Sequence, residues 1–514
     1  MKLSHSIIAI IATLLFTACS DNNSTTPRQQ SSADSGSSHT TSSKVAERPE
    51  SLKFSPFKVD IPLAEKYRHE LNGKNVAYIM EDHGLPLVQI HLFSRAGWYL
   101  LEDKDIGVSY VFDNMLREGG TETLSPTELN EKLDFLATTI NFSTRSTSAS
   151  ANMDTLTSNL DESLALFFDM LQKPGLAVNR LEVAKSKALE RIKRRNDDTR
   201  SIEPRVFNEL LRGESFFDDR MATSSQIKAV TPQQLKHYIQ KIYANGQLIV
   251  AVSGDVQIDD IINRLNNHLQ TFDKADKLPA IPSELKPAKP GLYGVDKADV
   301  TQSRVSVGHL GIKRGNKDEL AVLVMNDILG GGGFTSRITS RVRSDEGLAY
   351  SAGSYFNRPS AYQGIFRAYF QSKNKSVAYA LKIVLEEINN IRDNKVTAKE
   401  LNVAKQSVNS ILGNVFRSAD AKVQRFVADD LAHVAADYWS TFESKVMALT
   451  EDSIQQVAKK YLHPDKMRIL VVGALDEVKK GDGEHGTLEE VAGSQLIQLP
   501  LKDPLTLKPL PIKQ

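Results

Sequence analysis

Histidine and cysteine are the side chains that most often bind transition metals, and this chain holds few of them at useful spacings. Consecutive histidines are at least eight residues apart, so no helix can present two imidazoles one turn apart to share a zinc ion. The single cysteine, Cys19, cannot form an internal disulfide, and a lone cysteine excludes cysteine-based zinc or iron–sulfur sites. Histidines distant in sequence could still meet in the fold. The spacing nevertheless predicts no zinc site of the usual paired-histidine type.

Arg343 and Tyr350, seven residues apart in the segment VRSDEGLAY, could do chemistry of a different kind. A guanidinium grips a carbonyl or carboxylate with a fork of donors, and a phenol donates one hydrogen bond to developing negative charge. From the spacing alone, the favoured interpretation is simpler. It makes Arg343 a solvated helix residue and Tyr350 a core residue that starts a strand.

A run of four glycines, Gly330–Gly333, precedes this segment. Phe334 and Thr335 follow it, where a phosphate-binding loop would have Lys followed by Ser or Thr, so the sequence predicts no nucleotide site. We interpret the run as flexible backbone that lies against an extended peptide.

The overall charge and length narrow the class of protein. The chain has 514 residues, with 64 basic and 63 acidic side chains. The net charge of +1 supplies no overall field to hold a nucleic-acid backbone, so nucleic acid is not expected as a partner. The length exceeds what one hydrophobic core supports, since chains of this size divide into domains of about 100–200 residues.

Residues 1–18 are typical of an export signal peptide. Lys2 supplies a positive charge, residues 7–16 form an apolar run, and small residues follow at 17–18. A helix of ten residues is about 15 Å long, half of the roughly 30 Å hydrocarbon core, so it cannot span a membrane alone. The stretch LLFTAC resembles a bacterial lipobox, in which Cys19 becomes the lipid-modified first residue. The alternative is an ordinary cleaved signal in which Cys19 is incidental.

Residues 19–54 are expected to be the lipidated cysteine and a flexible tether. Thirteen of the twenty-five residues at 20–44 are Ser or Thr, which bury too little apolar surface to offset the entropy of ordering. Ser20, rather than Asp, follows the cysteine, which by resemblance to bacterial lipoproteins favours the outer membrane. No later segment approaches 18 consecutive apolar residues, so contact with the membrane is expected through the lipid anchor only. The folded part is expected in the periplasm.

The rest of the chain contains a weak internal repeat of about 215 residues. Thr231 opens a helical pattern that leads to an apolar run ending at Gly254, and Thr450 opens a similar pattern whose apolar run ends at Gly473. Both offsets are 219 residues. Each threonine can cap a helix start, and each β-branched run is typical of a buried strand. Two amphipathic segments stopped by glycines repeat with a similar offset: 111–120 and 322–333.

Strands and helices follow one another without regular alternation, which predicts an α+β fold. We expect two homologous domains, each a mostly antiparallel sheet with helices packed on one face. An alternating run predicts a strand within 85–98, and apolar spacing predicts helices over 160–171 and 183–194. The predicted organisation is a signal peptide at 1–18, the lipidated Cys and Ser/Thr-rich tether at 19–54, an N-terminal domain at 55–274, a proline-rich linker at 275–292, a C-terminal domain at 293–477 and a tail at 478–514 that wraps a surface or is loose.

A set of spaced residues between Ala96 and Arg194, which we call the frame, carries a family resemblance. Its matching residues are Ala96, Gly97, Gly107, Met115, Leu116, Gly120, Thr121 and Pro174. This frame resembles the insulinase/pitrilysin family of zinc metallopeptidases, in the branch that includes the subunits of mitochondrial processing peptidase. The segment NDILGGGGFTSRITSRVRSDEGLAYSAGS is similar to the family's glycine-rich segment and the helix after it. The resemblance covers about residues 55–475 and implies two domains of one type.

The family's active site is an inverted zinc motif, HxxEH, on a helix. Two histidines and a distal glutamate bind zinc, and the glutamate within the motif polarises the attacking water. The alignment on GVSYVFDNM puts Tyr110 at the first histidine, Asp113 at the glutamate and Asn114 at the second histidine. Glu190 falls where the distal glutamate belongs. The resemblance therefore implies degenerate positions, no intact catalytic residue and no metal bound by this chain.

The Arg/Tyr pair has a role in the same family. There, an Arg and a Tyr at this spacing reach from the second domain to the zinc site, bind the substrate backbone and stabilise the oxyanion. In bacterial two-subunit members, the zinc motif and this pair lie on different polypeptides. The resemblance thus reverses the simpler interpretation and implies that Arg343 and Tyr350 bind substrate.

The leading hypothesis is a non-catalytic, peptide-binding subunit of a periplasmic insulinase-like zinc peptidase. The chain would form a heterodimer with a homologous HxxEH-bearing chain, bind no cofactor itself and leave the zinc on the partner. Peptide hydrolysis is not expected from this chain alone. Two alternatives stay open: a stand-alone peptide-binding or scaffold lipoprotein, and an active metallopeptidase with an atypical metal site that includes Glu190.

Overall fold

The computed structural model describes residues 59–244, 247–272 and 278–512, so the predicted signal peptide, Cys19 and tether lie outside the described residues. Within these ranges the strands form two six-stranded sheets. The first sheet contains β1 (Arg68–Glu70), β2 (Val76–Glu81), β3 (Leu87–Ser94), β4 (Thr139–Thr144), β5 (Ala149–Leu156) and β6 (Ile249–Gly254). The second sheet contains β7 (Gly291–Asp296), β8 (Gln302–Leu310), β9 (Ala349–Phe356), β10 (Ile365–Lys373), β11 (Arg468–Gly473) and β12 (Leu496–Leu499).

Helices pack on both sheets. In chain order they are α1 (Phe112–Glu118), α2 (Pro126–Phe135), α3 (Leu160–Gln172), α4 (Val178–Lys193), α5 (Thr199–Arg212), α6 (Ser224–Lys228), α7 (Pro232–Tyr243), α8 (Ile258–Leu269), α9 (Glu319–Asn326), α10 (Arg337–Thr339), α11 (Val377–Asp393), α12 (Ala398–Val415), α13 (Ala419–Leu431), α14 (Phe442–Met447), α15 (Glu451–Tyr461), α16 (Leu475–Lys480) and α17 (Leu488–Ala492). Among the residues described, no helix has the length and apolar composition needed to cross a bilayer.

The two sheets share one topology. In each, one strand pairs in parallel with the strand that closes the repeat: β2 with β6 in the first sheet and β7 with β11 in the second. The remaining strands follow in the orders β6-β3-β5-β4 and β11-β8-β10-β9, and these pairs are all antiparallel. The structure therefore confirms an α+β fold with two related, mostly antiparallel sheets.

The repeated threonines begin equivalent helices. Thr231 caps α7 by accepting a hydrogen bond from the main-chain N–H of Gln234, and Thr450 caps α15 by accepting one from Ser453. Each helix leads to a buried strand, β6 or β11. The predicted positions of both helices and both strands are confirmed. Three further predicted elements are confirmed as β3, α3 and α4, although α4 begins earlier, at Val178.

The two sheets differ at one edge. The first is completed by β1, antiparallel to β2, and the second by β12, parallel to β7 and drawn from the range predicted as a tail. After β12 the chain returns to the first half. There the N–H of Ser224 donates to the carbonyl oxygen of Leu505 at 2.7 Å, and Arg195 donates to the carbonyl oxygen of Pro504 at 3.2 Å. Residues after β12 therefore lie against the first half of the chain.

Each half also contributes one helix to the sheet of the other half. Helix α5, from the first half, packs Phe207 against a cluster that includes Leu470 of β11. Helix α13, from the second half, packs Phe426 against Tyr78 of β2, with ring centroids 5.7 Å apart. The sequence did not predict this exchange, because an amphipathic helix indicates that one face is buried but not which sheet buries it.

Polar contacts fix α13 on the first sheet. Near its start, Oδ1 of Asp420 lies 2.7 Å from Nε2 of His91, whose Nδ1 lies 2.9 Å from Oδ1 of Asn152. At its end, Arg95 donates to the carboxylate and the carbonyl oxygen of Asp430. Because these contacts join the two halves at both ends of one helix, they set the register of the helix on the sheet.

We expect the substitution His91→Gln to destabilise the protein more at about pH 5.5 than at about pH 8.5. Burial alone would lower the pKa of His91, but its hydrogen bonds with Asp420 and Asn152 outweigh burial and raise that pKa. A raised pKa in the folded state adds stability that is fully present below the unfolded-state pKa of about 6.5 and is lost as the pH rises through the folded-state value. The lost hydrogen bond to a charged partner costs about 1.5–3 kcal/mol.

Chemical denaturation of both proteins at the two pH values measures the change in the free energy of unfolding. The exposed His237 provides a control, because His237→Gln should leave stability nearly unchanged at either pH. A destabilisation by His91→Gln that is equal at both pH values would contradict the assignment of a charged, paired imidazole.

Candidate functional site

The fold brings together the two helices that carry the degenerate zinc positions. A 3₁₀-helical segment, Asp103–Tyr110, leads almost directly into α1, which carries Asp113 and Asn114. Helix α1 packs against the edge strand β4 and against α4, the helix that carries Glu190. The elements that carry the four aligned positions are therefore neighbours in the fold, and the question is what their side chains do.

The Tyr110 side chain is held by arginines. Its hydroxyl accepts a hydrogen bond from Arg195 at 2.9 Å, and its carbonyl oxygen accepts one from Arg191 at 3.1 Å. Both guanidinium carbons lie 5.6 Å from the centre of its ring. Arg195 also donates to the carbonyl oxygens of Ala222 and Pro504. Tyr110 therefore belongs to a network that fastens the C-terminal residues to the first half.

The Asp113 carboxylate is also engaged. It accepts hydrogen bonds from the main-chain N–H of Thr144 at 3.0 Å and from the Thr144 hydroxyl at 2.7 Å. Burial raises the pKa of Asp113, and these two hydrogen bonds oppose that rise. A carboxylate held by two donors on β4 is not free to polarise a water molecule. Asn114, the next residue, is exposed, and its side chain makes no hydrogen bond within the part of the chain described.

Glu190, at the distal ligand position, is exposed on α4. It forms an ion pair with Lys193 one turn later, and this hydrogen bond, with the Lys193 charge, lowers the pKa of Glu190. An i,i+3 pair of this kind is typical of a solvated helix surface. Glu190 is therefore a surface carboxylate with a local partner.

These residues do not fit a zinc ion. Zinc is bound by thiolates, imidazoles and carboxylates in tetrahedral geometry, and a phenol held by an arginine, an exposed amide and a paired carboxylate do not supply that set. Arg191, Arg194 and Arg195 surround Glu190 with positive charge, which repels a divalent cation. Within residues 59–244, 247–272 and 278–512, no three His, Cys, Asp or Glu side chains are grouped closely enough to hold a metal ion.

The second candidate site is a stack in which the half-buried Arg343 lies between two exposed aromatic rings. The guanidinium carbon of Arg343 lies 4.5 Å from the centre of the Phe334 ring and 4.4 Å from that of the Tyr350 ring. Phe334 is 66% exposed and Tyr350 is 84% exposed. The interpretation of Tyr350 as a core residue is therefore wrong, and Arg343 lies between two rings rather than free in solvent. We call these three residues the aromatic–arginine stack.

Within the stack, the N–H donors of Arg343 and the hydroxyl of Tyr350 stay available to bind a ligand. Cation–π contacts orient the guanidinium without using its N–H donors. The Arg343 side chain forms no hydrogen bond or ion pair with any residue that the structure describes, and neither does the Tyr350 hydroxyl. A fork of donors and a phenol are thus presented together at the protein surface, where they could bind a carbonyl or carboxylate oxygen.

The sequence did not identify Phe334, the third member of the stack. One feature of the sequence could have pointed to it: a large aromatic residue stands directly after Gly330–Gly333 and belongs to no periodic apolar pattern. Two wide helical turns of the π type, Asp327–Gly331 and Ser340–Asp345, flank the segment that carries it. Such turns interrupt regular helices and are frequent at functional sites.

The glycines before Phe334 have local structural reasons. A Cβ on Gly330 would lie 2.5 Å from the main-chain nitrogen of Ser354 on β9, so only glycine allows this close approach. Gly333 has φ of +60°, a left-handed conformation that glycine adopts without strain. The interpretation of the whole run as flexible backbone is therefore wrong for Gly330, which is packed against a strand.

The two candidate sites are separate within the chain. No hydrogen bond, ion pair or ring contact of the described residues joins the Tyr110 network to the aromatic–arginine stack. One chain therefore presents a blocked zinc position in its first half and an open Arg/Tyr pair in its second half.

Comparison with known proteins yields one consistent family. Residues 229–408 match the family model "Peptidase M16 inactive domain". The "Non-peptidase homolog YmxG" of Helicobacter pylori is 28% identical over 344 residues, 66% of this chain and 78% of that protein. An "Uncharacterized zinc protease" of Rickettsia felis is 24% identical over 329 residues, 63% of this chain and 77% of that protein.

Solved structures agree on the fold. The peptidase M16 inactive domain from Pseudomonas fluorescens superposes with a TM-score of 0.71 at 24% identity, covering 79% of this chain and 97% of that one. The periplasmic protease PqqL from Escherichia coli superposes with a TM-score of 0.68 at 15% identity, covering 84% of this chain and 49% of that one. The chain is thus similar to proteins of the peptidase M16 family, and its sequence contains no HxxEH motif.

Proposed function

We propose that this protein is a non-catalytic, peptide-binding subunit of a zinc peptidase of the M16 family. It pairs with a homologous chain that carries an intact HxxEH motif, and it supplies Arg343 and Tyr350 to a shared site. The partner holds the zinc ion, and this chain binds none. The observation that carries the proposal is the contrast between the engaged zinc positions and the open aromatic–arginine stack.

The first half argues against catalysis by the lone chain. Tyr110 and Asp113 are tied to Arg195 and Thr144, and Glu190 is paired with Lys193. Loss of the contacts of Tyr110 or Asp113 would leave a partly buried polar group without a partner, which costs about 1–3 kcal/mol. The relative named a non-peptidase homolog and the match to an inactive domain support the same conclusion.

The second half supports a role in binding. Exposed Phe334 and Tyr350 rings are costly for a free surface, and aromatic residues with arginine are the side chains enriched at interfaces. An extended peptide offers carbonyl oxygens that the Arg343 guanidinium and the Tyr350 phenol could bind as donors. Both groups would then also lie near the scissile bond if the partner placed its zinc opposite them.

The proposed location is the periplasm, with a lipid anchor at Cys19 in the outer membrane. The support is the sequence of residues 1–54 and the periplasmic location of the structurally similar protease PqqL. The anchor would leave the folded part free to meet secreted or misfolded polypeptides at the membrane surface.

The test is reconstitution of the two chains. The protein and a homologous HxxEH-bearing chain from the same genome are purified separately and together, and cleavage of an unstructured fluorogenic peptide is measured with and without a zinc chelator. We expect zinc-dependent cleavage from the pair and none from this chain alone. An HxxEH chain that cleaves equally well without this protein would contradict the proposal.

The two alternatives predict different results in the same experiment. Zinc-dependent cleavage by the lone chain, with stoichiometric metal by elemental analysis, would favour an active peptidase with an atypical site. Peptide binding by the lone chain, with no neighbouring HxxEH chain and no complex, would favour a stand-alone binding or scaffold lipoprotein.

A further inference from the structure

A second surface of the first half is a basic cavity between α4 and α5. Its volume is about 810 Å³, within the range of ordinary ligand sites. Five cationic side chains line it: Lys187, Arg191, Arg194, Arg195 and Arg205. We call this surface the basic cavity. It lies beside the Tyr110 network, since Arg191 and Arg195 belong to both.

The positive charge of the basic cavity is only partly balanced by the protein, since Lys187 forms a long ion pair with Glu118, at 4.0 Å. Glu190 is the one carboxylate among its lining residues, all of which the structure describes, and Glu190 is already paired with Lys193. The lining therefore carries a net charge of +4, whereas the whole chain carries +1. Arg194 forms no ion pair or hydrogen bond through its side chain with any described residue. Such a concentration of charge is a focus for anions.

The positive charge of the cavity affects the pKa values of its two half-buried arginines, Arg195 and Arg205. Burial lowers the pKa of Arg195, Tyr110 opposes that change, and the charge of Arg191 adds a smaller lowering effect. Burial, and after it the charge of Arg195, lower the pKa of Arg205. Like charges held together at a cost in free energy are stabilised when an anion binds between them. The cavity is therefore better matched to an anionic ligand than to solvent alone.

The spacing of the cations favours an extended chain over a compact anion. Lys187 and Arg191 lie one turn apart on one face of α4, and Arg194 caps the end of that helix, which gives rises of about 6 Å and 4.5 Å along the helix axis. This row is about 10 Å long, more than one phosphate group can contact. In an extended peptide, side chains on one face recur about every 6.6–6.8 Å. Carboxylates at alternate positions of a peptide would therefore meet successive cations of the row.

We propose that the basic cavity binds an acidic segment of a polypeptide in an extended conformation, with carboxylates at alternate positions. The open concavity between α4 and α5 can hold a narrow chain along the cations, whereas a flat bilayer would contact the exposed Lys187, Arg191 and Arg194 rather than the half-buried Arg195 and Arg205. Guanidinium groups bind carboxylates bidentately, so the ligand gains geometric as well as electrostatic complementarity. The site is distinct from the aromatic–arginine stack, and it requires neither a catalytic partner nor a zinc ion.

The test measures binding to the purified full chain by fluorescence anisotropy. The probe is a labelled nine-residue peptide with glutamate at every second position, and its control has glutamine at those positions. We expect the glutamate peptide to bind at least about tenfold more tightly at low salt, and to weaken strongly as screening increases toward about 0.5 M salt. Equal affinity for the two peptides would overturn the proposal.

Paired variants locate the site. Lys187→Gln with Arg194→Gln removes two lining charges that no hydrogen bond holds, and we expect affinity to fall by about tenfold. Lys382→Gln with Lys459→Gln removes the same charge from exposed positions of the second half, and affinity should change by less than about twofold. Equal losses in both double variants would show a general charge effect and overturn the assignment of the cavity.

Two competitors separate the sources of negative charge. Inorganic phosphate should displace the glutamate peptide only at concentrations that also act through ionic strength, because it meets one or two cations at a time. Vesicles of phosphatidylglycerol should not displace it. Displacement by phosphate at concentrations equal to the peptide, or by vesicles in a manner that depends on Lys187 and Arg194, would overturn the proposal in favour of a phosphate or a lipid surface.

Discussion

Replacing Arg343 with alanine is expected to lower kcat/KM of the reconstituted complex by about 10²–10³-fold, because one donor to a developing oxyanion contributes that much in other enzymes. The zinc content of the partner should not change, since Arg343 is not a ligand. The measurement is steady-state cleavage of a fluorogenic peptide by complexes that contain either form of this chain. Arg343→Lys keeps the charge without the fork of donors, so its activity should lie between the two.

Substitutions of the other two residues of the stack should lower activity by successively smaller factors. Tyr350→Phe removes one phenolic donor and should cost about 10²-fold in kcat, with a smaller change in KM. Phe334→Ala removes one cation–π contact of about 0.5–1 kcal/mol, so it should lower activity only about two- to fivefold, and Phe334→Tyr should restore it. Phe334 is thus a positioning residue that acts through Arg343.

Two controls keep this series interpretable. Ser344→Ala alters an exposed neighbour in the same helical turn and should leave activity unchanged. Size-exclusion chromatography shows whether each variant still forms the complex, which separates lost assembly from lost chemistry. Full activity in an assembled Arg343→Ala complex would contradict the proposed role of the stack.

The elements that sequence predicted well are those specified by neighbours in the chain. Thr231 and Thr450 each cap a helix through a residue three positions later, and the strands after them are short β-branched runs. These signals are local, so they survive without knowledge of the fold. The repeat of the two halves strengthened each of them, because one pattern was observed twice.

The features that sequence missed depend on contacts between distant residues. Helix α5 and helix α13 are amphipathic, and that pattern does not specify which sheet will cover the apolar face. Residues 496–499 form a strand only because β7 offers a parallel partner some 200 residues earlier in the chain. The stacking of Phe334 on Arg343 likewise depends on the two π-type turns, for which the sequence carries no clear periodic signal.

For the candidate site, the sequence predicted which residue types occupy the zinc positions, but not which contacts hold their side chains. The residue types at Tyr110, Asp113, Asn114 and Glu190 were enough to argue against zinc. Tyr110 is held by Arg195, 85 residues away in the chain, and Asp113 is held by Thr144, 31 residues away. Lost ligands can therefore be recognised from sequence, but the new roles of the replacing side chains require the structure.

The ion pair of Glu203 with Arg367 supports a large predicted effect on stability. Glu203 lies on the exchanged helix α5 and is fully buried, and it accepts hydrogen bonds from Arg367 and Ser306 of the second sheet. The Arg367 guanidinium also lies 5.6 Å from the centre of the Tyr369 ring and donates to the Tyr355 hydroxyl at 3.1 Å. One carboxylate from the first half therefore neutralises a buried cation of the second half.

Glu203→Ala is expected to lower the free energy of unfolding by about 3–5 kcal/mol, because it leaves Arg367 buried without a counter-charge. The double variant Glu203→Met with Arg367→Met should recover most of that loss, since well-packed apolar side chains avoid the cost of burying charge. Urea denaturation of the three proteins measures both changes. Lys395→Ala, which removes one partner of the exposed Lys395–Asp452 pair, should have a far smaller effect.

The same variant tests whether the exchanged helices make the two halves unfold together. Trp98 packs on the first core and Trp439 on the second, and the chain has no other tryptophan. In single-tryptophan variants made by Trp98→Phe or Trp439→Phe, the two urea transitions should coincide when Glu203 is present. They should separate in the Glu203→Ala background, because the docking of α5 then no longer links the cores. Coincident transitions together with a loss of less than about 1 kcal/mol would contradict a coupling role for this ion pair.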